Sequence, residues 1–183
     1  MAFADLGAWE AWLAAQPGDA PGLWLKLAKA GNAESTLTKA QAIDGALCHG
    51  WIDGRIDKHD DAWFLTRFTR RTAKSRWSEK NRGRVVELIA DGRVSAAGVA
   101  VVEEAKADGR WDAAYAPAST ATEPDDLRAA LDADPPARAF FDTLTGANRY
   151  AILYRVHDAK RPETRAARIA KFVALCAAHR TLH

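Results

Sequence analysis

The stretch WIDGRIDKHDDAWFLTRF, from Trp51 to Phe68, predicts an antiparallel β-hairpin that organises the first half of the chain. Its two arms, WIDGRID and AWFLTRF, are rich in β-branched and aromatic residues, and the polar run KHDD between them suits a loop. Successive strand residues point to opposite faces. The second arm therefore divides into two sets, one made of Trp63, Leu65 and Arg67 and the other of Phe64, Thr66 and Phe68.

The residues around this hairpin predict further short elements. Gly54 interrupts the first arm and predicts a bulge or a close backbone approach. Residues 5–15 predict a short amphipathic helix, and LWLKLAK, which begins at Leu23, alternates with the period of a strand. Thr38 is followed three residues later by Gln41, which is the signature of a capping box at the start of another helix.

The second half of the chain predicts helices throughout. Ser78 and Ser95 are placed to cap two of them. Further helix starts are indicated by Pro124, by the pair Pro135 and Pro136, by Thr145 and by Pro162. The predicted fold class is α+β, with a small antiparallel sheet and helices in the N-terminal part, followed by an all-helical C-terminal part. We place the first lobe at residues 1–78 and the helical lobe at residues 79–183.

Composition excludes several classes of protein. Of the 183 residues, 48% are hydrophobic and 27% are charged, which is typical of a globular domain and not of a disordered chain. No apolar run approaches the roughly 20 residues that span a bilayer. The N-terminus carries no basic lead before an apolar run, so we expect a soluble, cytoplasmic protein. The net charge of +2 does not by itself indicate nucleic-acid binding.

Basic residues concentrate immediately after the hairpin. Eight lie between Arg67 and Arg84, against one acid, Glu79. We call residues Arg70–Arg82 the Arg-rich segment. It runs into the helix start predicted at Ser78, where backbone N–H groups, the helix dipole and guanidinium forks would together attract a phosphate, a nucleotide or a lipid headgroup. The predicted ligand-binding residues are Arg70, Arg71, Lys74, Arg76, Trp77, Ser78 and Asn81. The alternative is a solvated basic face, with salt bridges to Asp57, Asp60 and Asp61.

Groups that carry catalytic chemistry are few. Asp53, beside Gly54 in the first arm, is the candidate general base or ligand-orienting carboxylate, and a structural Asp paired with an arginine or a turn amide is the alternative. Cys48 adjoins His49, but neighbouring side chains point in different directions, so a buried structural cysteine is favoured over an activated nucleophile. The histidines and cysteines show no metal-ligand spacing. No metal and no cofactor is therefore predicted.

Five stretches of the chain resemble, in this order, the YdeI/OmpD-associated family, also called the bacteriocin-protection family. They are ALCHGWIDGRIDKHDDAWFLTRFTRR, SRWSEKN, AKADGRWDAAY, NRYAILYRV and AKRPETRAARIAKFVAL. The helical C-terminal part resembles the domain that gives the family its name. This resemblance implies a bacterial cytoplasmic protein linked to envelope stress, or to tolerance of bacteriocins and cationic peptides. It implies no particular reaction and carries over no catalytic residues.

Three functions therefore remain open. The first is a non-enzymatic stress-protection protein that binds an anionic small molecule or a protein partner through the Arg-rich segment. The second is an enzyme that uses Asp53 and nearby arginines on a phosphorylated or carboxylated small molecule. The third is a single-stranded nucleic-acid binder, because arginines alternate with aromatic residues. The first is favoured. The chain has no Gly-rich phosphate loop and no nucleophile elbow, which argues against the enzyme, and its nearly balanced charge and lack of a recognised nucleic-acid motif argue against the third function without excluding it.

Overall fold

The protein is described by a computed structural model that covers residues 1–32 and 37–182. In chain order, the elements are α1 Leu6–Ala14, β1 Leu23–Ala28, α2 Lys39–Cys48, β2 Trp51–Lys58, β3 Trp63–Arg70, α3 Glu79–Ala90, α4 Ala96–Ala107, α5 Asp125–Asp132, α6 Pro135–Thr143, α7 Gly146–His157 and α8 Pro162–Ala177. The α+β class is confirmed, because the sheet lies in the N-terminal part and the C-terminal part is helical.

The predicted hairpin forms the centre and one edge of a three-stranded antiparallel sheet with the order β1-β3-β2. β3 lies in the middle and pairs with both of its neighbours. The register of β2 against β3 shifts between Asp53 and Ile56. The bulge predicted at Gly54 is therefore confirmed.

The two faces of this sheet have different surroundings. On the inner face, Leu23, Leu25 and Leu27 of β1 lie opposite Phe68, Thr66 and Phe64 of β3. Trp9 and Leu13 of α1, with Ala42 and Ala46 of α2, complete the hydrophobic cluster against this face. We call the other side the outer sheet face. It includes Trp24, Lys26, Arg55, Leu65 and Arg67, which are exposed or half-buried, and the buried Trp63. The division of β3 into two sets of side chains is thus confirmed.

Side-chain caps begin the helices where the sequence predicts them. Thr38 accepts from the backbone N–H of Gln41, whose own side chain bonds the Thr38 backbone, so the capping box is present. Ser78 caps α3, and Ser95 caps α4. Each cap satisfies a backbone donor that the first turn of a helix would otherwise leave without a partner.

Helices α3 and α4 pack against α2. Val85 and Leu88 of α3, with Val102 of α4, share one buried cluster with Leu47 and Cys48. The Cys48 carbonyl accepts from both the backbone N and the Oγ of Ser95, at 2.9 and 2.8 Å. A Cβ atom added to Gly98 would lie 2.4 Å from this same carbonyl oxygen. A glycine at position 98 is therefore what lets α4 approach α2 so closely.

The chain divides into two compact units, Met1–Ala114 and Tyr115–His183. This division differs from the lobe boundary that we placed after residue 78, because α3 and α4 share a hydrophobic cluster with α2 and so pack within the first unit. In the second unit, helices α5 to α8 enclose a cluster centred on Leu131, Phe141 and Phe172. Over residues 1–32 and 37–182, no helix is both long and apolar enough to cross a membrane.

Candidate functional site

Arg70 ties the start of the Arg-rich segment to the chain after α1. Its Nε donates to the carbonyl oxygen of Pro17 at 2.9 Å, and its Nη2 donates to that of Gln16 at 2.6 Å. Its guanidinium carbon also lies 5.4 Å from the ring centre of Trp51. Arg70 therefore links two parts of the fold that are more than 50 residues apart in sequence.

Arg71 and Trp77 are brought together in the interior. Arg71 is 7% exposed and Trp77 is 2% exposed. The guanidinium carbon of Arg71 lies 3.6 Å from the centre of the Trp77 ring, and Nη1 donates to the Arg76 carbonyl at 3.0 Å. The Trp77 ring also contacts Trp111 edge-on, with 5.2 Å between the ring centroids. The cation–π contact stabilises this pair, and the pair holds together the two ends of the chain between residues 71 and 77.

The chain between Arg71 and Trp77 forms a hydrogen-bonded turn. Thr72 N donates to Ser75 Oγ at 2.9 Å, and Ser75 N donates to the Thr72 carbonyl at 2.8 Å. Arg110 Nη1 donates to the carbonyls of Thr72 and Ser75, at 3.2 and 3.3 Å. Arg110 is itself paired with Asp108 at 2.6 Å. Arg110 was not predicted from the sequence, because its partners lie 35 and 38 residues away and no local pattern signals such a contact.

The start of α3 is already capped. Ser78 Oγ accepts from the backbone N of Asn81 at 3.1 Å. Glu79 places a carboxylate in the first helical turn. The Ser78 hydroxyl and the Glu79 carboxylate therefore already interact with the positive end of the helix dipole, which leaves less of its potential for an external anion. The three basic side chains of the Arg-rich segment that are exposed around this end are Lys74, Arg76 and Lys80.

Arg82 at the end of the segment and Arg84 just beyond it make internal contacts. Arg82 Nη1 donates to the Trp111 carbonyl at 3.1 Å. Arg84 forms a bidentate pair with Asp44 at 2.9 and 2.6 Å, and this hydrogen bonding raises the pKa of Arg84. Asp57, Asp60 and Asp61 are the carboxylates expected to pair with the Arg-rich segment. They form ion pairs with their near neighbours Arg55, His59 and Lys58 respectively.

Asp53 lies at the bulge of β2, opposite Phe68. It is half-buried, and within the described residues its carboxylate makes no hydrogen bond or ion pair. Its neighbour Arg55 pairs with Asp57. The expected pairing of Asp53 with an arginine or a turn amide is therefore not formed in this part of the chain.

Cys48 and His49 do not form a nucleophilic pair. Burial raises the pKa of the Cys48 thiol to about 11, so the thiol is protonated at neutral pH. Burial also lowers the pKa of His49, which ends α2 as its C-cap residue. Among the residues of 1–32 and 37–182, no group of three His, Cys, Asp or Glu side chains is arranged to hold a metal ion.

Two family models match the chain. Residues 1–101, more than half of the 183, match the model described as Domain of unknown function (DUF8412). Residues 120–179 match the model described as Bacteriocin-protection, YdeI or OmpD-Associated, which confirms the resemblance found in the sequence. The Arg-rich segment lies within the first match, and helices α5 to α8 lie within the second. No curated protein and no solved structure is detectably similar to the chain.

Proposed function

The chain belongs to the family of the domain of unknown function DUF8412 and carries a bacteriocin-protection, YdeI or OmpD-associated domain, and from this we propose that it is a bacterial cytoplasmic stress-protection protein. Its role in bacteriocin or cationic-peptide tolerance is exerted by binding an anionic ligand and not by catalysis. The ligand contacts the exposed cations of the Arg-rich segment.

The observation that carries this proposal is a rigid turn with exposed cations at its surface. The Arg71–Trp77 stack joins the two ends of the turn, and Arg110 donates hydrogen bonds to two of its backbone carbonyls. Lys74 lies within the turn and Lys80 lies in the first turn of α3, and both are exposed. Because the backbone between them is already ordered, binding an anion there costs little conformational entropy.

The size of this surface favours a small anion over a long polymer. Its exposed cations are limited to one turn and the start of one helix. Lysine binds phosphate as a compact point charge, so a ligand with one or two phosphate groups would satisfy the surface. Such a ligand releases few counterions, and its affinity should fall gently with salt.

Binding is favoured over catalysis by the state of the candidate reactive groups. The Cys48 thiol is fully buried, and its pKa is raised to about 11, which disfavours nucleophilic attack at neutral pH. Among the described residues, Asp53 has no ion-pair or hydrogen-bond partner that would orient it as a general base.

The binding proposal is tested by calorimetric titration with inorganic phosphate, a nucleoside monophosphate and glycerol phosphate. We compare the native chain with the double variant Lys74→Gln/Lys80→Gln. The matched control is Lys171→Gln, which removes an exposed lysine from α8. We expect at least one of these anions to bind, and its affinity to fall about tenfold in the double variant, or ~1.4 kcal/mol. Absence of binding by all three, or an equal loss in the control, would contradict the proposal.

The protection role is tested in cells. A bacterial strain that lacks this gene is challenged with a bacteriocin or a cationic peptide, and survival is restored with the native chain or with the double variant. We expect the native chain to restore survival and the double variant to do so less well, at equal protein abundance. Equal rescue by both proteins would show that protection does not depend on Lys74 and Lys80, and it would contradict the proposed role of the Arg-rich segment.

A further inference from the structure

The outer sheet face forms a second cationic and aromatic surface, distinct from the Arg-rich segment. Trp24 of β1 lies directly opposite Arg67 of β3, and Lys26 lies opposite Leu65. Because these positions alternate along each strand, their side chains share one face of the sheet. Trp24, Lys26, Leu65 and Arg67 are half-buried, so part of each remains accessible.

Two guanidinium groups meet at the Trp24 ring. The guanidinium carbon of Arg55 lies 5.5 Å from the centre of this ring, and that of Arg67 lies 5.9 Å from it. The Arg55 side chain is 73% exposed. Arg55 and Arg67 come from strands β2 and β3, so the three residues hold a row of positions across the sheet, and both guanidinium groups reach the Trp24 ring.

Cations outnumber acids on this surface, whose carboxylates are Asp57 and, near Lys26, Asp60. Lys26 Nζ lies 4.3 Å from the ring centre of Trp63 and adds a third cation. Asp57, opposite Leu65, is the acid that pairs with Arg55. Because that ion pair is exposed, it is weak, and a stronger anion can replace it. Arg67 uses one of its five N–H donors on the Pro21 carbonyl.

We propose that the outer sheet face binds single-stranded nucleic acid. One base stacks on the row formed by Trp24 and its guanidinium neighbours, and the adjoining phosphates contact Arg55, Arg67 and Lys26. A nucleotide unit carries a flat π surface next to a negative charge, and aromatic rings and guanidinium planes are the groups on which unstacked bases stack. An acidic peptide would satisfy the cations but carries no flat base to stack on this surface.

A single strand is favoured over a duplex by the position of the ring. Trp24 is part of a strand and lies within the sheet surface, so a base reaches it only when that base is turned out of a stack. Trp24 and Lys26 are two residues apart, or about 7 Å along the strand. The surface therefore contacts few nucleotides, and neutralising about three phosphates gives a salt slope of about −2.

The test measures the affinity of fluorescent oligonucleotides of about eight nucleotides, within the usual range for a single-strand site. Oligo-dT and oligo-U are titrated at low salt with the native chain and with Trp24→Leu, Trp24→Phe and Arg55→Gln. We expect Trp24→Leu to weaken binding by about 5- to 150-fold, as loss of one stacked base predicts, and Trp24→Phe to retain most of the affinity.

Two matched controls separate this surface from other cations and from the proposed function. Arg128→Gln removes an exposed arginine from α5 and should leave the oligonucleotide affinity unchanged. Lys74→Gln/Lys80→Gln should also leave it unchanged, although that variant tests the Arg-rich segment. Thermal unfolding of each variant shows that the sheet is intact, and Trp24→Phe keeps the test informative if Trp24→Leu unfolds.

Several results would overturn this assignment. They are the absence of oligonucleotide binding at low salt, equal affinity in the native chain and Trp24→Leu, and equal competition by a duplex, a mononucleotide or poly-glutamate. A loss of affinity in Lys74→Gln/Lys80→Gln with no loss in Trp24→Leu would move the nucleic acid to the Arg-rich segment and reject the outer sheet face.

Discussion

Arg71 stacks on Trp77 with 3.6 Å between its guanidinium carbon and the ring centre, and both side chains are buried. The sequence marks both residues as ligand contacts. The structure shows that they contact each other and support the turn that carries Lys74. Their effect on any ligand at this turn is therefore indirect, through the position of the backbone.

The Arg71–Trp77 stack should be measurable as a coupling energy. We expect Arg71→Gln and Trp77→Leu each to lower the free energy of unfolding, because each removes one partner of a desolvated cation–π contact. In the double variant the losses should fall short of additivity by about 1–2 kcal/mol. Urea denaturation of the four proteins completes the cycle. Fully additive losses would mean that the stack contributes nothing of its own.

Gly98 should tolerate no side chain. Gly98→Ala places a Cβ 2.4 Å from the Cys48 carbonyl oxygen, so α4 must shift away from α2, and we expect a loss of about 1–3 kcal/mol in the free energy of unfolding. Gly83→Ala is the matched control inside α3, where nothing lies within 4 Å, and it should stabilise the protein by about 0.5–1 kcal/mol. Urea denaturation measures both, and equal stability of the two variants would refute the close approach.

The ion pair between Asp126 and Arg165 should make the second unit sensitive to acid. Arg165 donates to both carboxylate oxygens at 2.5 and 2.7 Å, and these hydrogen bonds lower the pKa of Asp126. A lowered folded-state pKa stabilises the fold above the unfolded value, near 4, and this stabilisation is lost as pH falls through the folded value.

Asp126→Asn tests that pH dependence. The difference in Tm between the native chain and Asp126→Asn should be largest at neutral pH and should shrink as the solution is acidified below about pH 4. Arg165→Gln should reproduce the loss at neutral pH, since it removes the other partner. Calorimetric scans across the pH range measure the effect, and a difference that stays constant with pH would rule out this origin.

Both cysteines should be unreactive in the folded protein. Burial raises the pKa of Cys48 to about 11 and also raises that of Cys176, and both side chains are fully buried. We expect a thiol reagent at pH 8 to modify them only as fast as the structure opens, and at once in denaturant. Mass spectrometry counts the modified thiols over time. Rapid labelling of one cysteine in the native chain would show that its surroundings are accessible.

Local patterns predicted the secondary structure closely. The period-two alternation in β1 and β3 divided their side chains between the two faces as the structure has them, and Gly54 located the bulge. Thr38, Ser78 and Ser95 begin their helices through hydrogen bonds that reach only three residues along the chain. These signals succeed because the interacting groups are close in sequence, so the residues themselves specify the geometry.

Local patterns predicted the candidate site less well, because its contacts join residues that are far apart in the sequence. Arg70 and Lys74 belong to one basic run, yet Arg70 bonds to carbonyls more than 50 residues earlier and Lys74 is exposed. The row formed by Trp24, Arg55 and Arg67 joins three strands and was also missed. The alternation of Trp24 and Lys26 in β1 was the one local signal for it.

The sequence by itself determined the strands, the helix boundaries, the α+β class and the resemblance to the bacteriocin-protection family, because these depend on interactions within a few residues or on ordered motifs. Only the tertiary structure decided which basic residues are exposed and which serve the fold. Arg71 and Lys80 carry the same charge, but one is buried on Trp77 and the other is exposed. That difference arises from chain segments that meet only after folding, and the desolvation of each charge depends on what those segments place beside it.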